Sequence, residues 1–231
     1  VATIFYESCA WRTVERIQPA VLALAADDAT RNPYRSNILL DLNTRPDIDP
    51  RLQFELHRRW GAKTPAQVRT YDHYPAALAG QSRLRIGYLS PDFRSHAVGL
   101  FIGAVITAHD GRRVEVICYA KSAALDEMTQ RITARAHRFV DVSMLTDEQI
   151  ARRIHEDGIH ILVDLAGHTA ETGMSVLRYR AAPVQVTYLG YPNTTGLAET
   201  DYRITDGYAE AADGTQYTER LVMMPSEPKK L

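Results

Sequence analysis

Residues 84–106 read LRIGYLSPDFRSHAVGLFIGAVI, and this stretch decides the fold. Leu84–Leu89 is a short apolar run typical of a strand, and the polar loop Ser90–His96 follows it directly. The apolar residues between Val98 and Ile106 then recur at helical spacing and predict a buried helix. A strand, a polar loop and a helix in immediate succession are the opening of a β–α–β unit.

The same alternation continues along the chain. Strands are predicted at Val114–Tyr119, Phe139–Val142, Ile159–Leu165, Pro183–Leu189, Tyr202–Thr205 and Leu221–Met224. Helices are predicted at about Leu125–Arg138, from the capping box Thr146–Gln149 to the stop at Asp157–Gly158, and at about Met174–Arg180. This alternation predicts an α/β fold with a mainly parallel sheet, although it leaves the strand order open.

The first 80 residues predict helices and no strand. Apolar residues at helical spacing run from Trp11 to about Ala26. A second helix begins at Pro50, with Asp49 as its N-cap, and ends at Gly61. We place loops at residues 32–33 and 45–47. The chain is therefore divided into a helical segment, residues 1–80, and an α/β lobe, residues 81–231.

Composition excludes several classes of protein. The 27 Lys and Arg residues balance 28 Asp and Glu residues, for a net charge of −1, so a nucleic-acid partner is not expected. No apolar stretch approaches the roughly 20 residues of a membrane span, and no signal peptide is recognisable. Cys9 and Cys118 are far apart and predict no disulfide framework. We expect a cytoplasmic protein, and the start without Met suggests a fragment of a longer chain.

Polar, glycine-containing loops follow the predicted strands. Ligands of open parallel sheets bind beyond the carboxyl ends of the strands, where these loops lie. They are Ser90–His96, Ala120–Ser122, Ala166–Gly173, Gly190–Gly196 and Asp206–Gly207. Such loops allow close backbone approach to a sugar or a phosphate. Dinucleotide-binding, P-loop, serine-hydrolase and zinc-protease motifs are not found, so we expect a reaction without a metal.

Four segments together resemble one family. They are LRIGYLSPDFRSHAVGLF at 84–101, RRIHEDGIHILVDLAGHTAETG at 152–173, RAAPVQVTYLGYPNTTG at 180–196 and DYRITD at 201–206. In order and spacing they resemble the N-terminal catalytic lobe of the O-GlcNAc transferase and SPINDLY glycosyltransferases. Upstream, the helices resemble the link between tetratricopeptide repeats and the catalytic region of that family.

The resemblance implies one half of a GT-B enzyme, with two Rossmann-like lobes facing each other across a cleft. Such enzymes transfer a sugar from a nucleotide diphosphate to a Ser or Thr hydroxyl of a protein, with inversion and without a required metal. The implied donor is UDP-GlcNAc, and the implied partners are a peptide acceptor and a C-terminal lobe beyond this chain. We expect the 231-residue chain alone to be inactive.

The resemblance also implies individual site residues. His96 and His155 match histidines considered catalytic in the family. Residues expected to contact sugar or acceptor are Asp92, His168, Thr169, Leu189, Gly190, Tyr191, Pro192 and Thr194. Where the usual family loop has Gly-Thr-Ser-Gly, this chain has Asn193-Thr-Thr-Gly196, which leaves the local backbone open because Asn adopts positive φ less freely than Gly.

Each of these residues also has a purely structural interpretation. His96 sits where a helix begins and could cap it, and Asp92 could cap the preceding turn. His155 could satisfy carbonyls at a helix end. His57, His73, His109 and His137 are interpreted as surface or helix residues, and His160 as a buried, satisfied one.

Two alternatives to GlcNAc transfer stay open at this stage. The same fold could transfer fucose or glucose, because the deciding pocket is expected mostly in the second lobe. The chain could also be a non-catalytic lobe that binds protein partners.

Overall fold

The computed structural model describes residues 35–45, 48–62, 68–74, 82–123, 125–169, 173–209 and 215–225. Seven parallel strands form one sheet in the order β3-β2-β1-β4-β5-β6-β7. The strands are β1 Leu84–Ser90, β2 Val114–Ala120, β3 Arg138–Asp141, β4 Ile161–Asp164, β5 Val184–Tyr188, β6 Tyr202–Thr205 and β7 Arg220–Met223. The expected parallel α/β lobe is thus confirmed.

Six helices belong to the described residues. They are α1 Arg35–Leu42, α2 Pro50–Gly61, α3 Ala97–Ala108, α4 Glu127–Thr133, α5 Asp147–Glu156 and α6 Met174–Leu177. The start of α2 is as predicted, because the Asp49 side chain accepts a hydrogen bond from the Arg51 N–H and Pro50 opens the first turn. Thr146 and Gln149 form the predicted capping box of α5.

Some predicted boundaries are wrong. The helix expected up to Arg138 ends at Thr133, and Arg138 begins β3, where its guanidinium pairs with Asp157. Helix α1 was not predicted, because its apolar residues follow one another without a helical period. Ile38, Leu39 and Leu42 are nevertheless buried, together with Leu56 of α2. The helix predicted at residues 11–26 lies outside the described residues.

Successive strand residues face opposite sides of the sheet and form two apolar layers. Leu89, Ile117 and Leu162 belong to the layer that contains residues of α5 and α6. Their neighbours Tyr88, Cys118 and Val163 belong to the layer that contains residues of α3 and α4. Helices therefore cover both faces, as the apolar composition of the strands requires.

The strand order places the topological switch between β1 and β4. The chain moves outward from β1 to β2 and β3, then returns to add β4 on the other side of β1. At such a switch the loops after the two strands diverge and leave a crevice at the carboxyl edge of the sheet. The loops after β1, β4 and β5 meet at this edge.

Candidate functional site

A cavity of about 260 Å³ lies between these loops. It is lined by Pro91, Asp92, Arg94, His96, Val98, Thr169 and Gly190. Four of the predicted site residues, Asp92, His96, Thr169 and Gly190, therefore come together at one place. The volume of this cavity is slightly below the roughly 300–1,000 Å³ that is typical of small-molecule pockets.

His96 is both the N-cap of α3 and a wall of the cavity. Its backbone is extended, with φ −149° and ψ 155°, and its Nδ1 accepts a hydrogen bond from the Val98 N–H at 3.2 Å. An imidazole nitrogen that accepts carries no proton, so the neutral ring has its proton on Nε2. The side chain is 42% exposed. The ring lines the cavity, and in this tautomer its hydrogen-bond donor is the Nε2–H.

Asp92 and Arg94 form an ion pair beside this ring. An Arg94 Nη2–H donates to Asp92 Oδ1 at 3.0 Å, and Asp92 Oδ2 lies 3.7 Å from His96 Nδ1. The loop packs closely over the first turn of α3, because a Cβ on Gly99 would lie 2.2 Å from the Arg94 carbonyl oxygen. Arg94 was not predicted, since an Arg in a polar loop gives no signal by itself. It adds a cationic group to the cavity.

The loop after β4 brings Thr169 to the cavity. Gly167 adopts a left-handed φ of 55°, and its N–H donates to Asp164 Oδ2 at 2.7 Å. The Thr169 hydroxyl closes the turn by donating to the Ala166 carbonyl at 2.9 Å. The bend of this loop is thus fixed by a glycine and by the carboxylate of Asp164.

Asp164 is a functional candidate that the sequence interpretation missed. It is fully buried, its Oδ1 has no hydrogen-bond partner among the described residues, and burial raises the pKa of the carboxyl to about 6. It does not line the cavity. The available signal was a carboxylate at the end of an otherwise apolar strand, where perturbed groups are often functional.

The loop after β5 reaches the cavity through a strained turn. Leu189 has φ 73°, and the Gly190 N–H donates to the Tyr188 carbonyl at 2.9 Å, which defines a γ-turn with positive φ. A Cβ on Gly190 would lie 1.8 Å from the Leu165 carbonyl oxygen, so only glycine fits there. Pro192, further along the loop, is exposed.

Tyr191 and His168, two predicted contact residues, are enclosed in a polar network with α1 and α2. The Tyr191 hydroxyl lies 2.6 Å from His57 Nε2 and accepts from the Asn43 amide at 2.9 Å. His168 Nε2 donates to the Thr195 carbonyl at 2.8 Å, and its Nδ1 accepts from the Ser36 hydroxyl at 2.9 Å. Neither ring lines the cavity.

Burial keeps both histidines of this network neutral. It lowers the pKa of His57 to about 4 and that of His168 well below its usual value, and a charge on His57 would lower the pKa of His168 further. Their ring centroids are 5.2 Å apart. The interpretation of His57 as a helix residue is correct, because it lies in α2. The alternative interpretation as a surface residue is wrong, because its side chain is buried. Gln53, Leu56, His57, Trp60 and Gly61 share one helical face, and that spacing was the missed signal.

Thr194 is also enclosed. Its hydroxyl donates to Glu219 Oε2 at 2.7 Å, and the Thr195 N–H donates to Oε1 of the same carboxylate at 2.7 Å. Asn193 does not take a positive φ, and its side chain bonds to Asn43 and to the Thr194 N–H. The Asn-Thr-Thr-Gly variant is therefore accommodated by side-chain bonds, and the left-handed positions fall on Leu189 and Gly196.

His155 does not lie in the cavity. It is in the last turn of α5, which leads back to the amino end of β4, so it lies toward the opposite edge of the sheet. Its ring stacks on Tyr71, with centroids 3.9 Å apart. The catalytic role of His155 stays a prediction, and this position favours support of α5.

The described part of the chain holds no group of three or more His, Cys, Asp or Glu residues arranged to bind a metal ion. No helix in it is long and apolar enough to cross a membrane.

These features define a class: a doubly wound parallel α/β lobe with a polar cavity at its switch point. The glycosyl transferase family 41 model matches residues 65–227, and the chain belongs to this family.

Similarity to individual proteins agrees with this assignment. The chain is 37% identical over 204 residues to the probable UDP-N-acetylglucosamine–peptide N-acetylglucosaminyltransferase SPINDLY of Arabidopsis thaliana, a match that covers 86% of this chain and 22% of that protein. It is 37% identical over 189 residues to the similarly named SEC of the same plant, covering 77% and 19%.

A mutant O-GlcNAc transferase from Thermobaculum terrenum has a similar structure, with a TM-score of 0.75 and 36% identity over 81% of this chain and 36% of that one. The chain thus spans about a fifth of the length of the curated relatives it matches.

Proposed function

We propose that this chain supplies the acceptor-side half of the active site of a transferase that moves N-acetylglucosamine from UDP-GlcNAc to Ser or Thr hydroxyls of proteins. The observation that carries the proposal is the convergence of Asp92, His96, Thr169 and Gly190 on one cavity at the switch point of a family 41 lobe. The names of the relatives support the donor and the peptide acceptor. Inversion and metal independence are proposed from the family resemblance.

The reaction breaks the bond between the anomeric carbon and the diphosphate and forms one to the acceptor oxygen, whose proton must leave. We propose that His96 orients a ligand by donating from Nε2, because the cap bond at Nδ1 holds the neutral ring in that tautomer. A donor nitrogen cannot take the acceptor proton, so an oxygen of the leaving diphosphate is the better base. This assigns His96 a positioning hydrogen bond in place of general-base catalysis.

The other predicted residues fall into two groups, those that line the cavity and those that do not. We propose that Asp92, Thr169 and Gly190 contact sugar or acceptor directly, since they line the cavity, and that Arg94 adds positive charge near the diphosphate. Leu189, Pro192, Thr194 and His168 would shape the loops that carry these contacts. The C-terminal lobe, the link to upstream repeats and the cytoplasmic location stay predictions.

The test is transfer to a peptide by the full-length protein, with UDP-GlcNAc, UDP-glucose and GDP-fucose supplied in parallel. We expect turnover with UDP-GlcNAc and a loss of about 10- to 100-fold in kcat for His96→Ala. If GDP-fucose were the only donor to support turnover, the protein would still be a glycosyltransferase, but the proposed donor, UDP-GlcNAc, would be wrong. Full activity of the variant would remove His96 from the site.

A protein-binding lobe without catalysis is the second candidate. It is favoured by Leu100 and Phe101, which are 62% and 60% exposed on the first turns of α3. Absence of turnover with all three donors, together with loss of partner binding in Leu100→Ser, would support it. We expect the isolated 231-residue chain to be inactive under either candidate.

A further inference from the structure

We infer that Tyr191 is a positioning residue of the transfer site, whose hydroxyl, bonded to His57 and Asn43, holds the Leu189–Gly190 turn against the cavity. The inference rests on the proposed function for its kinetic consequence, whereas its structural consequence is independent of it. It differs from the sugar contact expected for Tyr191 from the sequence.

The hydroxyl of Tyr191 both donates and accepts a hydrogen bond, and both partners are residues of the helical region before residue 80. His57 Nδ1 lies 2.7 Å from the Gln53 carbonyl, which can only accept, so the proton of the ring is on Nδ1 and Nε2 is an acceptor. The Tyr191 O–H therefore donates to His57 Nε2 at 2.6 Å. The Asn43 amide donates to the same oxygen at 2.9 Å. With Tyr191 only 2% exposed, a ligand in the cavity cannot reach this hydroxyl.

The Leu189–Gly190 turn next to Tyr191 has a strained backbone that contacts with the surrounding structure must stabilise. A non-glycine residue with the φ of Leu189, 73°, is strained, and such a conformation persists only where the surrounding structure enforces it. Tyr191 is two residues further on and is fixed at both ends, because an Arg203 Nη1–H donates to its carbonyl at 2.9 Å. The backbone of Gly190, a wall of the cavity, lies between the strained residue and the fixed one.

The Tyr191 side chain also contacts the loop after β4. An added Cβ on Gly167 would lie 2.2 Å from Tyr191 Cβ, so this side chain packs directly on the bend that leads to Thr169. His168 lies beside it, with ring centroids 5.1 Å apart. One buried side chain thus adjoins both loops that line the cavity opposite His96.

Helix α2, which carries His57, is itself fixed against the loop after β5 and Arg178. A Cβ on Gly61 would lie 1.6 Å from the Gly196 carbonyl oxygen, so the helix end and the β5 loop are in direct backbone contact. Arg178 donates to the carbonyls of Gly61 and Trp60 at 2.9 and 3.1 Å. His57 is therefore presented to Tyr191 from a helix that is itself fixed to the lobe.

The primary test compares Tyr191→Phe with Tyr119→Phe in the full-length protein. Tyr119 is the control, because this buried tyrosine also donates from its hydroxyl, in a partly buried bond of 2.8 Å to Asp157, and it does not line the cavity. We expect Tyr191→Phe to lower kcat about 10- to 100-fold with little change in KM for the nucleotide sugar, since misplacement of a site acts on the transition state. Tyr119→Phe should lower the thermal midpoint similarly but leave kcat nearly unchanged.

A conservative pair at His57 tests the bond itself. The carboxamide oxygen of His57→Gln can take the place of Nε2 as the acceptor from Tyr191, whereas His57→Asn matches only the Nδ1 position. The Gln variant should retain clearly more kcat than the Asn variant. Adding Tyr191→Phe should lower the activity of His57→Asn little further, because both changes remove the same bond.

Amide hydrogen exchange of the full-length variants separates this inference from the proposed function. Segments 165–169 and 189–196 should exchange faster in Tyr191→Phe and His57→Asn than in Tyr119→Phe. Faster exchange in a protein that transfers no sugar would support the anchor and reject the proposed function. Normal exchange and equal kcat losses in both tyrosine variants of an active enzyme would overturn the anchor.

Discussion

At the residue scale, two glycines and one strained leucine determine the shape of the cavity wall. Gly167 supplies a left-handed bend, Gly190 allows the β5 loop to touch the end of β4, and Leu189 takes a γ-turn that its side chain disfavours. Strain of this kind concentrates where function constrains the backbone. The cavity therefore depends on backbone geometry as much as on the side chains that line it.

The first prediction concerns Gly190→Ala. The new methyl group would lie 1.8 Å from the Leu165 carbonyl oxygen, so the loop must move, and we expect a loss of about 1–3 kcal/mol in the free energy of unfolding. Gly207→Ala is the control, because the nearest atom to its Cβ, Met223 Cε, is 4.0 Å away. Urea denaturation of both variants measures the difference. Equal stability would show that the loop adjusts freely.

At the scale of the element, His96 has two roles: it caps the start of α3, and it lines the cavity where the proposed transfer takes place. Helix N-termini leave N–H groups without partners, and His96 Nδ1 satisfies that of Val98. The two sequence interpretations of His96, cap and site residue, were posed as alternatives, but one ring can serve both because it has two nitrogens. The cap fixes the tautomer, and the tautomer decides what Nε2 can do.

The second prediction separates these two roles. His96→Asn retains a capping acceptor but loses the Nε2–H, so we expect stability equal to or above the wild type and a large loss of activity. His96→Ala loses both and should unfold about 1 kcal/mol more easily. Thermal unfolding and peptide glycosylation of the full-length variants are the measurements. An active Asn variant would contradict the donor role.

At the scale of the whole molecule, α1, α2 and the turn after α1 share a buried polar interface with the loops after β4 and β5. Ser36, Asn43 and His57 bond to residues of the loops after β4 and β5, and no water is needed to satisfy either histidine. Helices α1 and α2 are therefore packed against the loops that carry the candidate site, whereas the division at residue 80 stays a prediction. Neutral histidines at such an interface make its stability depend on pH.

The third prediction is loss of stability on acidification. The folded pKa of His57, about 4, lies below the ordinary 6.5, so its contribution is complete above pH 6.5 and is lost as the pH falls toward 4. His168 acts in the same direction, with Arg178 as the nearby cation, whereas Asp164, with a folded pKa of about 6, acts oppositely below that pH.

Between pH 6 and 5 the two buried histidines should together lower the free energy of unfolding by more than Asp164 raises it, and His109, whose pKa burial also lowers, acts in the same direction as the histidines. Urea midpoints across this range should fall for the wild type and change much less for His57→Gln. A parallel fall in both proteins would exclude His57 as the source of the pH dependence.

The sequence by itself determined the parallel α/β class, the position of most strands, the caps of α2 and α5, and the loops that line the candidate site. These follow from local periodicity and from cap chemistry, which act between residues a few positions apart. Tertiary structure alone decided that His57 meets Tyr191, that Asp164 is fully buried with its Oδ2 bonded to the Gly167 N–H, and that His155 lies away from the cavity. A local pattern can indicate that a side chain is buried, as the spacing along α2 does for His57, but it does not indicate which distant residue that side chain contacts. The stretch 84–106 thus predicted a site loop, and folding determined which residues surround it.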